Sequence, residues 1–324
     1  MPLTLELSTS DLAGTRLAVS PLSETVSGLQ ALAGCWGRSR QRGWTRWAAA
    51  ELAGRPLDLV WTWPLLVTGR SSWPQFLLPA PARAACTIDE ALAAMCRTTP
   101  GQVRRSLRGV FGEELPASAR ALADDPAAGL RAIAAELRQA HDRLIAPHWP
   151  RLRAVLDADI AYRAKQWADG GARRLFTALH PALSWHDGRL ALDGDRRPSP
   201  GRPAGGLVLS PVVLGPPWVM VKLHTTTQTT IRYPARGSGA LWTAAEPRPA
   251  EPAVRLLGRR RAELLESLRS PATTTGLAEV LHVSPSAVSQ HLRVLRDSGL
   301  VAGRRSGRTV FYRTTEQGLR LLDP

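Results

Sequence analysis

Thr274-Thr275-Gly276-Leu277-Ala278-Glu279-Val280-Leu281-His282-Val283-Ser284-Pro285-Ser286-Ala287-Val288-Ser289-Gln290-His291-Leu292-Arg293-Val294-Leu295-Arg296-Asp297-Ser298-Gly299-Leu300-Val301 reads as two helices joined by a tight turn. Thr274 or Thr275 caps the first, whose Leu277, Val280 and Leu281 recur at helical spacing and face inward. His282-Val283 makes the turn. Ser284 is a strong N-cap, with Pro285 at the first helical position, where a missing N–H costs nothing. Val283 before the cap and Val288 at the fourth helical position form a hydrophobic staple. Val288, Leu292 and Leu295 give the second helix one buried stripe, and Gly299 beyond Ser298 ends it. Ser286, Gln290 and Arg293 repeat that spacing on the opposite side, with Ser289 adjoining. A helix of ~14 residues is about 21 Å long, enough to lay its first turns in a major groove about 12 Å wide.

Working outward, Leu256, Leu257, Leu264, Leu265 and Leu268 fall on one face of a helix running to about Arg269. That is more apolar surface than three short helices can cover, which points to a dimer interface. Downstream, Leu300-Val301 and Val310-Phe311-Tyr312 read as two short strands around a tip, Arg304-Arg305-Ser306-Gly307-Arg308, that is basic on both sides. Thr314 and Gln317 fit a capping box that opens a last helix carrying Leu319 and Leu322. The order helix, helix, turn, helix, basic hairpin is a winged helix-turn-helix. Such a domain reads base edges with the second helix of its motif and holds phosphates with the wing.

The stretch Thr274–Val301, with its Ser-Gln-His-Leu core, its Leu-Arg-Asp-Ser-Gly-Leu-Val exit and the Arg305-Ser306-Gly307-Arg308 wing tip, resembles the ArsR/SmtB type of bacterial transcription regulator. The resemblance covers about 60 residues. The remainder is similar, less sharply, to the long N-terminal region of large ArsR-like regulators from high-GC bacteria. It implies a homodimer that binds a palindromic operator on double-stranded DNA and usually represses. It also places Ser286, Ser289, Gln290 and His291 toward DNA, and Arg304, Arg305 and Arg308 toward phosphates. His291 lies beside the Val288/Leu295 stripe, so a locally bonded histidine at the core margin fits it as well. Thr274, Thr275 and Ser284 sit at helix starts, where hydroxyls and amides either cap the helix or bind phosphate. Metal-sensing members carry a Cys pair on the second or third helix of the domain, or Asp/His ligands on a final helix. Positions 277–295 contain no Cys and the chain stops at Pro324 without such a helix, so neither a metal nor a cofactor is expected.

The region before residue 245 has a different texture. Residues 3–7 alternate as a short strand, and Pro21 to about residue 180 is mainly helical. Thr87, Thr99-Pro100 and Asp125-Pro126 mark helix starts. Leu130, Ile133, Leu137 and Leu144 recur helically, and Leu152, Val155, Leu156 and Ile160 open a second long helix broken near Gly170-Gly171. Residues 181–235 are sheet-rich. Leu183–His186 and Arg189–Leu192 pair around Asp187-Gly188, and Gly206–Leu214, Trp218–Leu223 and Thr229–Tyr233 read as further strands. Asp195–Gly205 reads as a mobile loop, and three prolines in residues 246–252 read as a stiff linker. The expected fold is therefore α+β. It comprises a mainly helical region with a small antiparallel sheet at 1–245, the linker at 246–252, and a winged helix-turn-helix at 253–324.

Charge supports the assignment. The chain carries 42 Lys plus Arg against 27 Asp plus Glu, a formal +15, and only Lys165 and Lys222 are lysines. A GC-rich coding bias produces the same arginine skew with no function, so location has to decide. Residues 253–324 hold twelve arginines against six acids, which marks that stretch for an anionic partner. Three scattered cysteines rule out a disulfide framework or a four-cysteine zinc site, and suit a reducing cytoplasm. No apolar run approaches the ~18 residues of a membrane span, so a cytoplasmic protein without membrane contact is expected. Nucleophile-elbow, Walker, zincin and dinucleotide fingerprints are all missing, which argues against an enzyme. Trp36, Trp44, Trp47, Trp61, Trp63 and Trp73 lie close together in sequence. They build either an aromatic core or, through Trp44, Trp47, Trp61 and Trp63, a pocket for a small apolar or aromatic ligand. The competing class is a winged helix that binds protein rather than DNA, which would expose apolar residues where Ser286, Gln290 and Arg293 stand.

Overall fold

The helix-start residues of the N-terminal region behave as their chemistry requires. Thr87 caps Ile88–Cys96 in a capping box with Glu90, and Gln102 Oε1 accepts from the Thr99 N–H at 3.0 Å where Pro100–Phe111 begins. Asp125 Oδ1 accepts from the Ala128 N–H at 3.0 Å and opens Pro126–Ala140. The computed structural model describes residues 3–35, 41–68, 72–193, 205–223, 228–239, 241, 251–269, 272–281, 283–306 and 309–322. They fall into two units: Met1–Gly37 with Trp44–Leu241, and Arg38–Gly43 with Trp242–Pro324.

In the first unit Leu130, Ile133, Leu137 and Leu144 are buried along Pro126–Ala140 and the wider turn His141–Ile145 that continues it. The next helix, Trp149–Leu179, breaks at Gly170-Gly171, where Gly171 takes φ +59°, a value that suits glycine. Across the break Arg163 donates to the Ala178 carbonyl and pairs with Asp159 at 3.5 Å. Asp159 also accepts from the Tyr233 hydroxyl at 2.9 Å and the Arg236 N–H at 3.1 Å; Asp159, Arg163 and Tyr233 are buried, while Arg236 is exposed.

Two sheets follow. The first is antiparallel, in the order Leu3–Glu6, Arg189–Leu192, Leu183–His186, with Asp187 and Gly188 both at positive φ in its two-residue turn. The second departs from the purely antiparallel expectation. Arg16–Leu17 and Thr229–Pro234 both run parallel to the central strand Leu207–Val212, and only Met220–Lys222 is antiparallel. Every residue of Leu207–Val212 is buried, as a strand covered on both faces must be. Leu207, Leu209, Ile231 and Tyr233 pack with Leu175, Phe176 and the first sheet. The opposite face lies under the helix Pro21–Leu32. Both oxygens of its Glu24 accept from the Val213 and Leu214 N–H groups at 2.7 and 2.8 Å. The expected loop 195–205 falls almost wholly outside the described residues, as do residues 246–250 of the expected linker.

The C-terminal unit corrects three local readings. The first helix is two, Glu251–Leu257 and Arg259–Ser267, because Gly258 takes φ +78° between them; the linker's Glu251 and Pro252 are already helical. Leu264, Leu265 and Leu268 are consequently covered inside the domain, and Leu256 is left 70% exposed. Thr314 belongs to the strand Thr309–Thr314, its hydroxyl donating inward to the Leu265 carbonyl at 2.7 Å. Thr315 is the residue that caps Glu316–Leu322, accepting from the Gly318 N–H at 3.2 Å. Finally, Thr274 and Thr275 already lie inside Thr274–Leu281 rather than before it, since its first turn closes from the Leu277 N–H to the Thr273 carbonyl at 2.9 Å.

Candidate nucleic-acid interface

The helix Pro285–Asp297 is built as its sequence prescribes. Ser284 Oγ accepts from the Ala287 N–H at 3.3 Å and lies 3.0 Å from Ser286 Oγ. Val288, Leu292 and Leu295 are buried to 1% exposure or less, and they pack with Leu264, Leu265, Leu277 and Leu322. The helix ends in a Schellman arrangement. Leu300 N–H donates to the Leu295 carbonyl and Gly299 N–H to that of Arg296, both at 2.9 Å, with Gly299 at φ +71°. That closure sends the chain directly into the wing.

The side facing away from the core is polar and open. Ser286, Ser289, Gln290 and Arg293 are exposed, and His291 is half-buried at the stripe's edge. Arg293 sits 3.9 Å from Asp297, a contact loose enough to leave its guanidinium available to an anion. Val294 is an apolar exception on this helix at 42% exposure. Thr274 is half-buried in the first turn of its helix.

The wing is the antiparallel pair Val301–Ser306 and Thr309–Thr314, in register from Val301 opposite Thr314 to Ser306 opposite Thr309. Arg304 stands opposite Phe311 and Arg305 opposite Val310, so both lie near the hairpin's tip; Arg308 lies outside the described residues. The return strand is tied to the body. Tyr312 exchanges backbone hydrogen bonds with Ala272, and Thr314 N–H donates to the Leu268 carbonyl at 2.8 Å. The bond to Leu268 satisfies a carbonyl that the end of Arg259–Ser267 would leave orphaned, and the pair with Ala272 holds the wing beside the start of Thr274–Leu281. Thr315, which takes the capping role expected of Thr314, is the positioning residue that sequence reading missed.

The family described as "Bacterial regulatory protein, arsR family" matches residues 259–302. The C-terminal unit is an ArsR-family winged helix-turn-helix domain. This ArsR-type domain resembles two mycobacterial proteins. One is the "HTH-type transcriptional repressor SmtB" of Mycobacterium tuberculosis, 42% identical over 60 residues, or 18% of this chain and 44% of the relative. The other is the "HTH-type transcriptional regulator NmtR" of the same species, 49% identical over 53 residues, 16% of this chain and 44% of the relative. The chain thus spans less than half the length of these relatives. A solved "Possible transcriptional regulator for arsenical resistance" is 41% identical and covers 24% of this chain and 79% of its own, with a TM-score of 0.19. Residues 104–239 match a family of unknown function, DUF5937.

The tryptophans of the other unit do not share one environment. Trp44 is fully buried, donates its indole N–H to the Leu144 carbonyl at 3.3 Å, and lies where a side chain on Gly28 would collide with its ring. Trp47 meets His148 edge-on at 4.2 Å, Trp61 is half-buried and Trp63 is 38% exposed. No helix among the described residues is long and apolar enough to cross a membrane.

Proposed function

We propose that this chain is a DNA-binding transcriptional regulator that recognises a palindromic operator as a homodimer and represses from it. The observation that carries the reading is the helix Pro285–Asp297. It has a fully buried Val288/Leu292/Leu295 stripe on one side and an exposed Ser286/Gln290/Arg293 stripe on the other, within an arsR-family match. Ser289 and His291 flank the reading stripe. Thr274, Thr275, Ser284 and the wing residues Arg304, Arg305 and Arg308 serve phosphates. The exposed Leu256 supports a second copy of the chain as partner, although the covered Leu264 and Leu265 contribute nothing to that surface. The N-terminal unit receives a small-molecule signal, because a ligand that binds the DNA-free arrangement more tightly releases the operator, with couplings of about 1–3 kcal/mol.

Selection of bound DNA from a random pool provides the operator, and two variants then test the assignment. Gln290→Ala should relax preference at one base position, costing about 1–3 kcal/mol on the selected site and little on random DNA. Arg308→Ala should weaken both alike and lower the salt slope by about one. Equal losses on selected and random DNA for Gln290→Ala would remove Gln290 from base reading.

A further inference from the structure

The face of the mixed sheet under Pro21–Leu32 holds more positive charge than it neutralises. Register places Arg16, Val208, Thr230 and Lys222 in one row across the strands, and Ser210, Arg232 and Met220 in the next. Lys222 and Arg232 are buried to 7% and 4% exposure, Ser210 and Thr230 are buried, and Arg16 is half-buried. Among the described residues Glu24 is the carboxylate that faces them, and both of its oxygens accept from the Val213 and Leu214 N–H groups. Three basic side chains against one committed carboxylate among the described residues is a costly arrangement, since each buried ion without a partner costs several kcal/mol.

Nor are the donors used up. Arg232 Nη2 donates to the Ser23 carbonyl and to Ser27 Oγ, but Arg232 Nε and Nη1 have no hydrogen-bond partner among the described residues. The same holds for Arg16 Nη1, Ser210 Oγ and Ser23 Oγ, all shut away from solvent. Lys222 gives one of its three hydrogens to the Leu78 carbonyl, and Arg16 Nη2 donates to the Pro81 carbonyl and to Gln228 Oε1. Buried guanidinium and hydroxyl donors left open on one face are what a bound oxyanion would close. Beside them Val208, Ala18 and Ala80 pack as a small apolar cluster.

We infer that this face is a binding site for the oxyanion group, carboxylate or phosphate-like, of a small metabolite, held by Arg232 and Lys222 with Ser210 and Ser23 as hydroxyl donors. The site deepens the signal-input part of the proposed function by naming the ligand's chemistry. Its binding assay contains no DNA, so its failure leaves the DNA reading untouched. Protonation fits the assignment. Burial pushes Lys222 down to about 7 and Glu24 up to about 7, and Arg232 adds to the first shift and opposes the second. An incoming anion favours charged Lys222 and neutral Glu24, so binding takes up protons and weakens as pH rises. Among the described residues the other titratable groups against the face are Arg16, Arg232 and Cys86, whose thiol burial pushes up.

The test is calorimetric titration of the full chain with sodium sulfate and, separately, sodium acetate, with ionic strength held by chloride. Neither probe titrates near neutrality. Saturable binding of at least one probe supports the site, sulfate pointing to a phosphate-like group and acetate to a carboxylate. Lys222→Met and Ser210→Ala should each weaken that binding, Lys222→Met about tenfold or more, the loss expected when a charge-assisted hydrogen bond is deleted. Should both variants fail to fold by circular dichroism, the wild type decides, because its affinity must be several-fold higher at about pH 6 than at about pH 8. Absence of saturable binding by either probe, full binding retained in both folded variants, or pH-independent affinity would each overturn the site.

Discussion

The helix Pro285–Asp297 and the strand Thr229–Pro234 both carry polar residues in a strict repeat, yet the helix turns them to solvent and the strand shuts them in. Ser286, Gln290 and Arg293 recur at helical spacing and are exposed, whereas Thr230 and Arg232 alternate at strand spacing and are buried. Periodicity states which residues share a face, and it is silent on what later covers that face. Around the helix, the second face stays open once Leu264, Leu265, Leu277 and Leu322 have covered the first. The strand lies between the cluster of Leu175 and Phe176 on one side and Pro21–Leu32 on the other, an element about two hundred residues earlier in the chain. A polar repeat on an exposed helix is available to an outside partner; the same repeat inside a sheet has to be satisfied locally or by something bound.

The largest expected effect lies on the enclosed side of that contrast. Asp159 holds Arg163, the Tyr233 hydroxyl and the Arg236 N–H together at the break in Trp149–Leu179. Asp159→Ala leaves a guanidinium 4% exposed without its carboxylate, and should cost about 3–5 kcal/mol. Arg293→Ala, on the open helix, removes a loose and exposed pair with Asp297 and should cost under about 1 kcal/mol. Denaturant unfolding of the two variants side by side checks the pair of values, and comparable losses would break the comparison.

A pH scan gives the next effect in size. Glu24 is raised in the folded chain, so between its ordinary value of 4.5 and about 7 the native state holds a proton that the unfolded chain has lost. Stability therefore falls as pH rises through that window. Lys222 is lowered, so from about 7 up to its ordinary 10.5 the unfolded chain holds the extra proton, and stability rises with pH. The two limbs predict a melting temperature for the N-terminal unit that is lowest near neutrality. Each group contributes a slope of up to about 1.4 kcal/mol per pH unit. Glu24→Gln should flatten the acid limb and Lys222→Met the alkaline one; a scan that peaks at neutrality and is unchanged in both variants would place these charges in water.

The same contrast explains what could be read from the sequence. The recognition helix, its cap, its glycine exit and the wing were legible because each is set by residues within a few positions of one another. So were Thr87, Thr99, Asp125 and the Gly170-Gly171 break. The break at Gly258 went unread because Leu256 to Leu268 keeps helical spacing straight through it, and only φ +78° at that glycine reveals it. The parallel pairing of Leu207–Val212 with Thr229–Pro234, and the charged face it carries, depends on contacts across long stretches of chain that no local pattern encodes. Arg232 and Lys222 sit in short alternating runs that read equally well as a solvated edge.

The smallest expected effect separates two roles of one hydroxyl on the open side. Ser284 Oγ caps the helix through Ala287 N–H, and by its place at the helix start it is also proposed to touch phosphate. As a cap, Ser284→Ala should cost about 1 kcal/mol of stability, while Ser284→Gly should cost only a few tenths, because glycine is tolerated at an N-cap and alanine is not. Phosphate contact follows a different order, since both variants lack the hydroxyl and should lose the same affinity for DNA at a fixed salt concentration. Thermal melts and DNA titrations of the two variants therefore give distinct patterns. Unequal stability with equal DNA loss assigns both roles to Ser284. Unequal stability with no DNA loss leaves it a cap alone, and the phosphate contacts then rest on Thr274, Thr275 and the wing arginines.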